Sequence, residues 1–264
     1  MTTLGIIGGT GWLGGILAKG MMAEGVIAPD DLSVSNRSGR FGGFEDWPGI
    51  HFTTDSQELV ERSEVVLLAV PPQTFADVGI SAADKLVISV MAVIGIDAIR
   101  AGTGAARVIR SMPTFTAEFG LSYTPWHATP EVSAGERETT QRLLSPSGLA
   151  EEVEREDLID FYTALTGAGP AFVTFLADAF IKSAIAHGVE PGQAERAVRM
   201  MFHGAGAHIA GSEKSPAELV QLILDYRGIA TAGVDSMLDT SVAADIHTAI
   251  TAANNKAQAG LEEA

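Results

Sequence analysis

The chain of 264 residues contains no cysteine, which excludes disulfides, thiolate metal sites and cysteine nucleophiles. Basic residues are few: 17 Lys and Arg stand against 33 Asp and Glu, a net charge of −16. So acidic a molecule repels phosphate backbones and anionic lipid heads, and no local basic patch offsets this, so neither nucleic acid nor a membrane surface is expected as a partner. Proline is sparse at 11, and 46% hydrophobic against 19% charged residues fits a compact fold rather than a disordered one. The apolar runs at 65–72 and 86–96 are short of the roughly 20 residues of a membrane helix. The start, Met1-Thr2-Thr3-Leu4-Gly5-Ile6, lacks the basic stretch of a secretory signal, so a soluble, cytoplasmic protein is expected. The six His are scattered, and His203 and His208 are five apart on a predicted helix, so no metal site is expected.

The length corresponds to about two domains. Apolar stretches of strand length at 4–7, 32–35, 64–70, 86–90 and 106–110 alternate with helical spacing at 12–24 and 56–62. That alternation predicts an α/β fold, an N-terminal Rossmann-type doubly wound parallel sheet over 1–154. Beyond Val153 the strand signal stops, and helices are predicted over 170–187, 191–210 and 215–224, an all-helical domain over 155–264. Ser215-Pro216-Ala217-Glu218 should open one helix as a capping box, and Gly188 should close another. Apolar stripes such as Phe172, Phe175, Leu176 and Phe180 need burial against other helices, so a homodimer or higher homo-oligomer is expected. The run Glu151-Glu152-Val153-Glu154 reads as a solvated face or edge.

After the first strand comes Gly8-Gly9-Thr10-Gly11-Trp12-Leu13-Gly14, in which Gly9, Gly11 and Gly14 fit G-x-G-x-x-G. Such a turn suits a pyrophosphate: glycine permits positive φ and close backbone approach, and the helix N-terminus adds unpaired N–H groups. NAD sites usually carry an acid at the end of the second strand; here the strand runs into Asn36-Arg37-Ser38. A guanidinium there favours a 2′-phosphate, so NADPH is preferred, with NADH still possible.

With these residues in place the chain resembles the pyrroline-5-carboxylate reductase family over roughly 4–240. Ala69-Val70-Pro71-Pro72 is similar to the family's A-V-K-P, Ser89-Val90-Met91-Ala92-Val93 to S-x-x-A-G, and Arg110-Ser111-Met112-Pro113-Thr114 to R-x-M-P-N. Residues 163–171 resemble T-A-L-S-G-S-G-P-A. Pro71, Val93 and Thr114 depart from the family's Lys, Gly and Asn. The resemblance implies reduction of 1-pyrroline-5-carboxylate to proline by NADPH, with the cofactor on Gly8, Gly9, Thr10, Gly11, Trp12, Leu13, Asn36, Arg37, Ser38, Ala69, Val70, Pro71, Met91 and Ala92. Where the family has S-P-G-G-T-T, this chain has Asp225-Tyr226-Arg227-Gly228-Ile229-Ala230 and then Thr231. The family's last Thr, which bonds the imine nitrogen, falls on Ala230.

A protonated imine accepts hydride without a strong general acid, which suits a chain with no triad or paired-carboxylate motif. The candidate catalytic residues are Thr166, Glu213, Tyr226, Arg227 and Thr231, with Gly167, Asp225, Gly228, Ile229 and Ala230 around the substrate. Two other readings stay open. One is a reductase of another small imine, carbonyl or deazaflavin substrate; the other is a non-catalytic dinucleotide-binding regulator that kept the fold and lost the substrate loop, with Ala230 as its main support. Separately, Tyr226 and Arg227 also read as a lock of a helix-to-helix turn, Tyr226 by packing and Arg227 by pairing with Asp225.

Overall fold

The computed structural model describes residues 2–260. Contacts divide them into two compact units, residues 2–167 with 253–260, and Ala168–Ala252. The division at Gly167 falls later than the change of sequence pattern near Glu154, because α5 (Asp157–Tyr162) and the π turn Thr163–Gly167 group with the sheet.

In the first unit, eight strands form one sheet. They are β1 (Leu4–Ile7), β2 (Leu32–Ser35), β3 (His51–Thr53), β4 (Val65–Leu68), β5 (Leu86–Ser89), β6 (Arg107–Ser111), β7 (Ser122–Ala128) and β8 (Gly148–Glu152). Their order is β3-β2-β1-β4-β5-β6-β7-β8, with β1 to β6 parallel and β7 antiparallel to β6. Every residue of β1, β2, β4 and β5 is buried, as a sheet covered on both faces requires. Alternate residues feed two cores. Leu4, Ile6, Val65 and Leu67 pack with Leu17 and Met21 of α1 (Trp12–Ala23) and Leu143 of α4 (Ala134–Leu144). Ile7, Val66 and Leu68 pack with Leu59 of α2 (Ser56–Arg62) and Ile99 of α3 (Ile96–Thr103).

The expected parallel sheet is there, with three strands that the apolar runs do not reveal. β3 has only three residues, β7 is polar and interrupted by Pro125, and β8 is a largely exposed strand at the end of the sheet carrying Glu151 and Glu152.

The second unit contains α6 (Gly169–Ala186), α7 (Pro191–Gly211), α8 (Pro216–Tyr226), α9 (Ile229–Leu238) and the start of α10 (Val242–Gln258). Ser215 and Glu218 form the reciprocal capping box that the sequence predicts, and Gly188 follows α6 at φ 87°. Glu190 caps α7 through the amides of Gly192 and Gln193. Among the described residues of this unit only Ala194 and Val198 are buried, while Phe175 is 72% and Met200 68% exposed. The unit has no sizeable core of its own.

The stretch Asp157–Ala186, made of α5, the π turn Thr163–Gly167, a bend at Ala168 and α6, is long and apolar enough by length and composition to cross a membrane. The apolar runs singled out in the sequence missed it, because Asp160 and interspersed Thr and Gly divide it. The same length and composition occur in a helix whose apolar face packs on protein. Pro170 sits in the first turn of α6, where its missing N–H costs nothing, and the π turn Thr163–Gly167 lies directly before the Ala168 cap. Thr166 and Gly167 lie in that π turn, immediately ahead of the start of α6.

Candidate active site

The glycine turn lies where the sheet order reverses, between β1 and β4. Gly8 carries the positive φ of the turn, 82°, a role the G-x-G-x-x-G spacing does not assign to it. A Cβ on Gly8 would lie 2.8 Å from the Ala69 carbonyl, and one on Gly14 would lie 2.6 Å from the Gly8 carbonyl, so the helix seats tightly on the strand ends. Gly11 precedes α1 with no side-chain cap, and the first turn holds no acid, which leaves its amides and positive end available to an anion.

A groove of about 760 Å³ opens along this turn. Gly8, Thr10 and Gly11 form one wall; Asn36, Arg37 and Ser38 stand at one end, and Ala69, Val70 and Pro71 form the other side. The remaining candidates for this site are placed differently. Gly9 is buried against Ile6 and Val34, Leu13 packs against the core, and Met91 is itself a core side chain, with Ala92 half-buried beside it. Trp12 is exposed and lines a neighbouring hollow, its ring 6.2 Å from that of Phe115. Ser35, Thr54, Asp55, Ser56 and Gln57 also line the groove. Apolar runs could not find the last four because they follow β3; the helix-capping pattern at Asp55 was the available signal.

Asn36 does not offer its amide to the groove. Its Nδ2 donates to Thr10 Oγ1 and to the Arg40 carbonyl, each at 2.7 Å, and its Oδ1 accepts from the Gly39 amide at 2.7 Å and the Ser38 hydroxyl at 3.2 Å. It shapes the turn that presents exposed Arg37. Of the two carboxylates that line the groove, Asp55 and Asp77, Asp55 is occupied as the cap of α2, accepting from the amides of Gln57 and Glu58. The donor set and the glycine cradle therefore fit a dinucleotide with a 2′-phosphate.

Still in the first unit, the Thr166 hydroxyl donates to the Tyr162 carbonyl at 2.9 Å, and Met112 lies 3.8 Å from where a Cβ on Gly167 would be. The Tyr162 ring packs at a tilt against that of Tyr123 of β7, whose phenol is pushed well above the ordinary 10 by burial and then by its hydrogen bond to Glu151.

In the second unit, α8 ends on Asp225 and Tyr226, and Arg227 and Gly228 join it to α9. Arg227 takes the left-handed conformation, φ 53°, at the C-cap of α8, and the Tyr226 ring lies so close over Gly228 that a Cβ there would be 2.9 Å from it. Asp225 accepts from Gln221 at 2.9 Å, and among the described residues no ion pair joins it to Arg227, which removes the pairing considered from the sequence. Tyr226 and Ile229 are 84% and 97% exposed. Ala230 carries no hydroxyl, and the Thr231 hydroxyl is spent on the Ile223 carbonyl at 2.7 Å. Glu213 is exposed just before the α8 cap.

Two family models match. Residues 3–93 fit "NADP oxidoreductase coenzyme F420-dependent", and residues 156–260 fit "Pyrroline-5-carboxylate reductase dimerisation". The chain is 30% identical to the pyrroline-5-carboxylate reductase of Synechocystis over 97% of both proteins. Its fold is similar to a crystal structure of a pyrroline-5-carboxylate reductase from Coxiella burnetii, at 26% identity and a TM-score of 0.88 over 97% of each chain. It also matches the fold of the Plasmodium falciparum pyrroline carboxylate reductase solved with NADP bound, at 20% identity and a TM-score of 0.82 over 98% of this chain and 97% of that one. A dinucleotide groove at the sheet reversal, a helical half matching a dimerisation domain and near full-length similarity converge: the chain belongs to the pyrroline-5-carboxylate reductase family.

Proposed function

We propose that the chain is an NADPH-dependent reductase of 1-pyrroline-5-carboxylate, giving proline. The observation that carries this is the groove, with the Gly8 turn at its centre and Arg37 rather than an acid at the end of β2, in a chain 30% identical to a named reductase over 97% of its length. NADPH supplies the hydride. Arg37 pairs with the 2′-phosphate, and the α1 amides with Thr10 hold the pyrophosphate. Thr166 and Gly167 help shape the hydride-transfer site.

For the substrate carboxylate, we assign Arg227 and the backbone of Gly228, Ile229 and Ala230, the one guanidinium and the glycine-bordered amides of that loop. Glu213, Asp225 and the Tyr226 hydroxyl form its polar surroundings. With its proton given to Ile223, the Thr231 hydroxyl has only lone pairs left and so suits a protonated imine, a hydrogen-bond donor. The enzyme works as a homodimer or larger homo-oligomer, which its exposed apolar helical unit supports. The departure at 225–230 favours one second reading, a cyclic imine larger or less charged than pyrroline-5-carboxylate, since exposed Tyr226 and Ile229 present apolar surface.

Following NADPH oxidation with 1-pyrroline-5-carboxylate beside neutral cyclic imines tests both. Preference for the carboxylate is expected. Turnover of neutral imines alone supports the second reading, and NADPH binding without any turnover overturns both. In the same assay Arg37→Ala should weaken NADPH roughly 10- to 150-fold, the scale of a charged hydrogen bond, and leave NADH unchanged; equal loss for both cofactors removes Arg37 from the phosphate site.

A further inference from the structure

Arg110 on β6 is 3% exposed and has no part in the chemistry above. Its Nη1 donates to Glu156 Oε1 at 3.2 Å and its Nη2 to Asp160 Oδ1 at 2.5 Å, while its buried Nε has no partner. The same Glu156 oxygen accepts the amide of Ile96, the first residue of α3, at 2.7 Å. One guanidinium thus joins three stretches: the 91–95 turn, which contains Val93 at φ 59°; the end of β6, leading to Met112; and α5, which runs into the π turn Thr163–Gly167.

Burying the Arg110 guanidinium against two half-buried carboxylates is a poor source of stability, because its desolvation takes back much of the Coulomb gain and a well-packed apolar residue would do as well. What such a cluster secures is one geometry. The three stretches it joins are those in which this chain follows the family's S-x-x-A-G, R-x-M-P-N and T-A-L-S-G patterns.

We propose that Arg110 is a positioning residue for hydride transfer, holding the 91–95 turn, Met112 and the π turn in one arrangement. This rests on the imine-reductase reading above. It acts on kcat, and the NADPH groove formed by the ends of β1, β2 and β4 is outside its reach.

The test uses the full-length protein with Arg110→Ala and the milder Asp160→Asn. In Arg110→Ala, kcat should fall about 100-fold, the cost of misplacing reacting groups by an ångström, with NADPH affinity preserved, and added guanidinium ion should restore part of kcat. Arg110→Lys, with one donor point in place of two, should lie between. Amide exchange at 163–167 and 93–97 should quicken relative to β1 and β2. A folded Arg110→Ala that keeps kcat within about twofold, or that loses NADPH affinity in proportion, overturns the proposal. Should Arg110→Ala fail to fold, Asp160→Asn decides alone: lowered kcat at unchanged NADPH affinity supports the role, and unchanged kcat overturns it. If the wild type reduces no imine, the reaction assignment fails by itself, and faster exchange confined to the two segments still separates a positioning Arg110 from one without that role.

Discussion

Among the described residues, two that carry side chains take the left-handed conformation, Val93 at φ 59° and Arg227 at φ 53°. A β-branched residue pays most there, because its Cβ crowds the following carbonyl. Val93 stands where the family pattern has Gly, so the sequence shows the departure and the backbone angle shows its cost. Val93→Gly should raise stability by about 1 kcal/mol, the relief of strain less the extra entropy glycine has when unfolded. A higher midpoint of thermal unfolding is the expected result; a lower one would mean that packing of the half-buried Val93 side chain outweighs the strain. Arg227 is different, since a left-handed residue closing α8 turns the chain into α9. Its guanidinium is a candidate ligand group; its backbone is a structural cap.

At the scale of the helix, two carboxylates of the second unit serve as caps, Glu218 in the Ser215 capping box and Glu190 ahead of α7. Glu218 is held below the usual 4.5 chiefly by the Ser215 amide and then the Ser215 hydroxyl, and Glu190 by the amides of Gly192 and Gln193. A folded value below the unfolded one means that the stabilisation is complete above about pH 4.5 and disappears as pH falls through the lower, folded value. Helicity followed by circular dichroism should therefore begin to decline below pH 4.5. Glu218→Gln, which keeps the capping geometry and cannot titrate, should make that decline shallower; an unchanged acid profile would show that α8 does not depend on the ionised cap. Ser215 and Glu218 were readable as a pair three residues apart. Glu190 was not, because it caps from the position before Pro191, where the sequence pattern shows only the proline.

For the whole molecule, the helical unit decides the state of assembly. Phe175, Met200 and Leu238 are 72%, 68% and 65% exposed, and only Ala194 and Val198 are buried among its described residues. Apolar surface of that extent needs a covering, and a second copy of the same unit is the covering that fits the dimerisation model matched over 156–260. Light scattering should give a dimer or larger, and the unfolding midpoint should rise with protein concentration. Phe175→Asp should shift the equilibrium to monomer and lower the midpoint. A stable, active monomer would refute the assembly.

The sequence by itself determined the sheet's parallel core, the glycine turn, the absence of an acid at the end of β2 and the helical second half. Each of these depends on residues adjacent in the chain: continuous apolar strands, glycines before a helix, a capping Ser three residues from its Glu. Only the tertiary structure decided that the positive φ falls on Gly8, that the Asn36 amide donates to Thr10 and Arg40, and that Met91 is core. It also decided that three further strands complete the sheet and that Thr166 lies in a π turn. Partners 26 to 60 residues apart, such as Thr10 with Asn36 or Ile96 with Glu156, leave no local pattern. They meet because strand order brings them together, and that order is set by burial of both sheet faces at once.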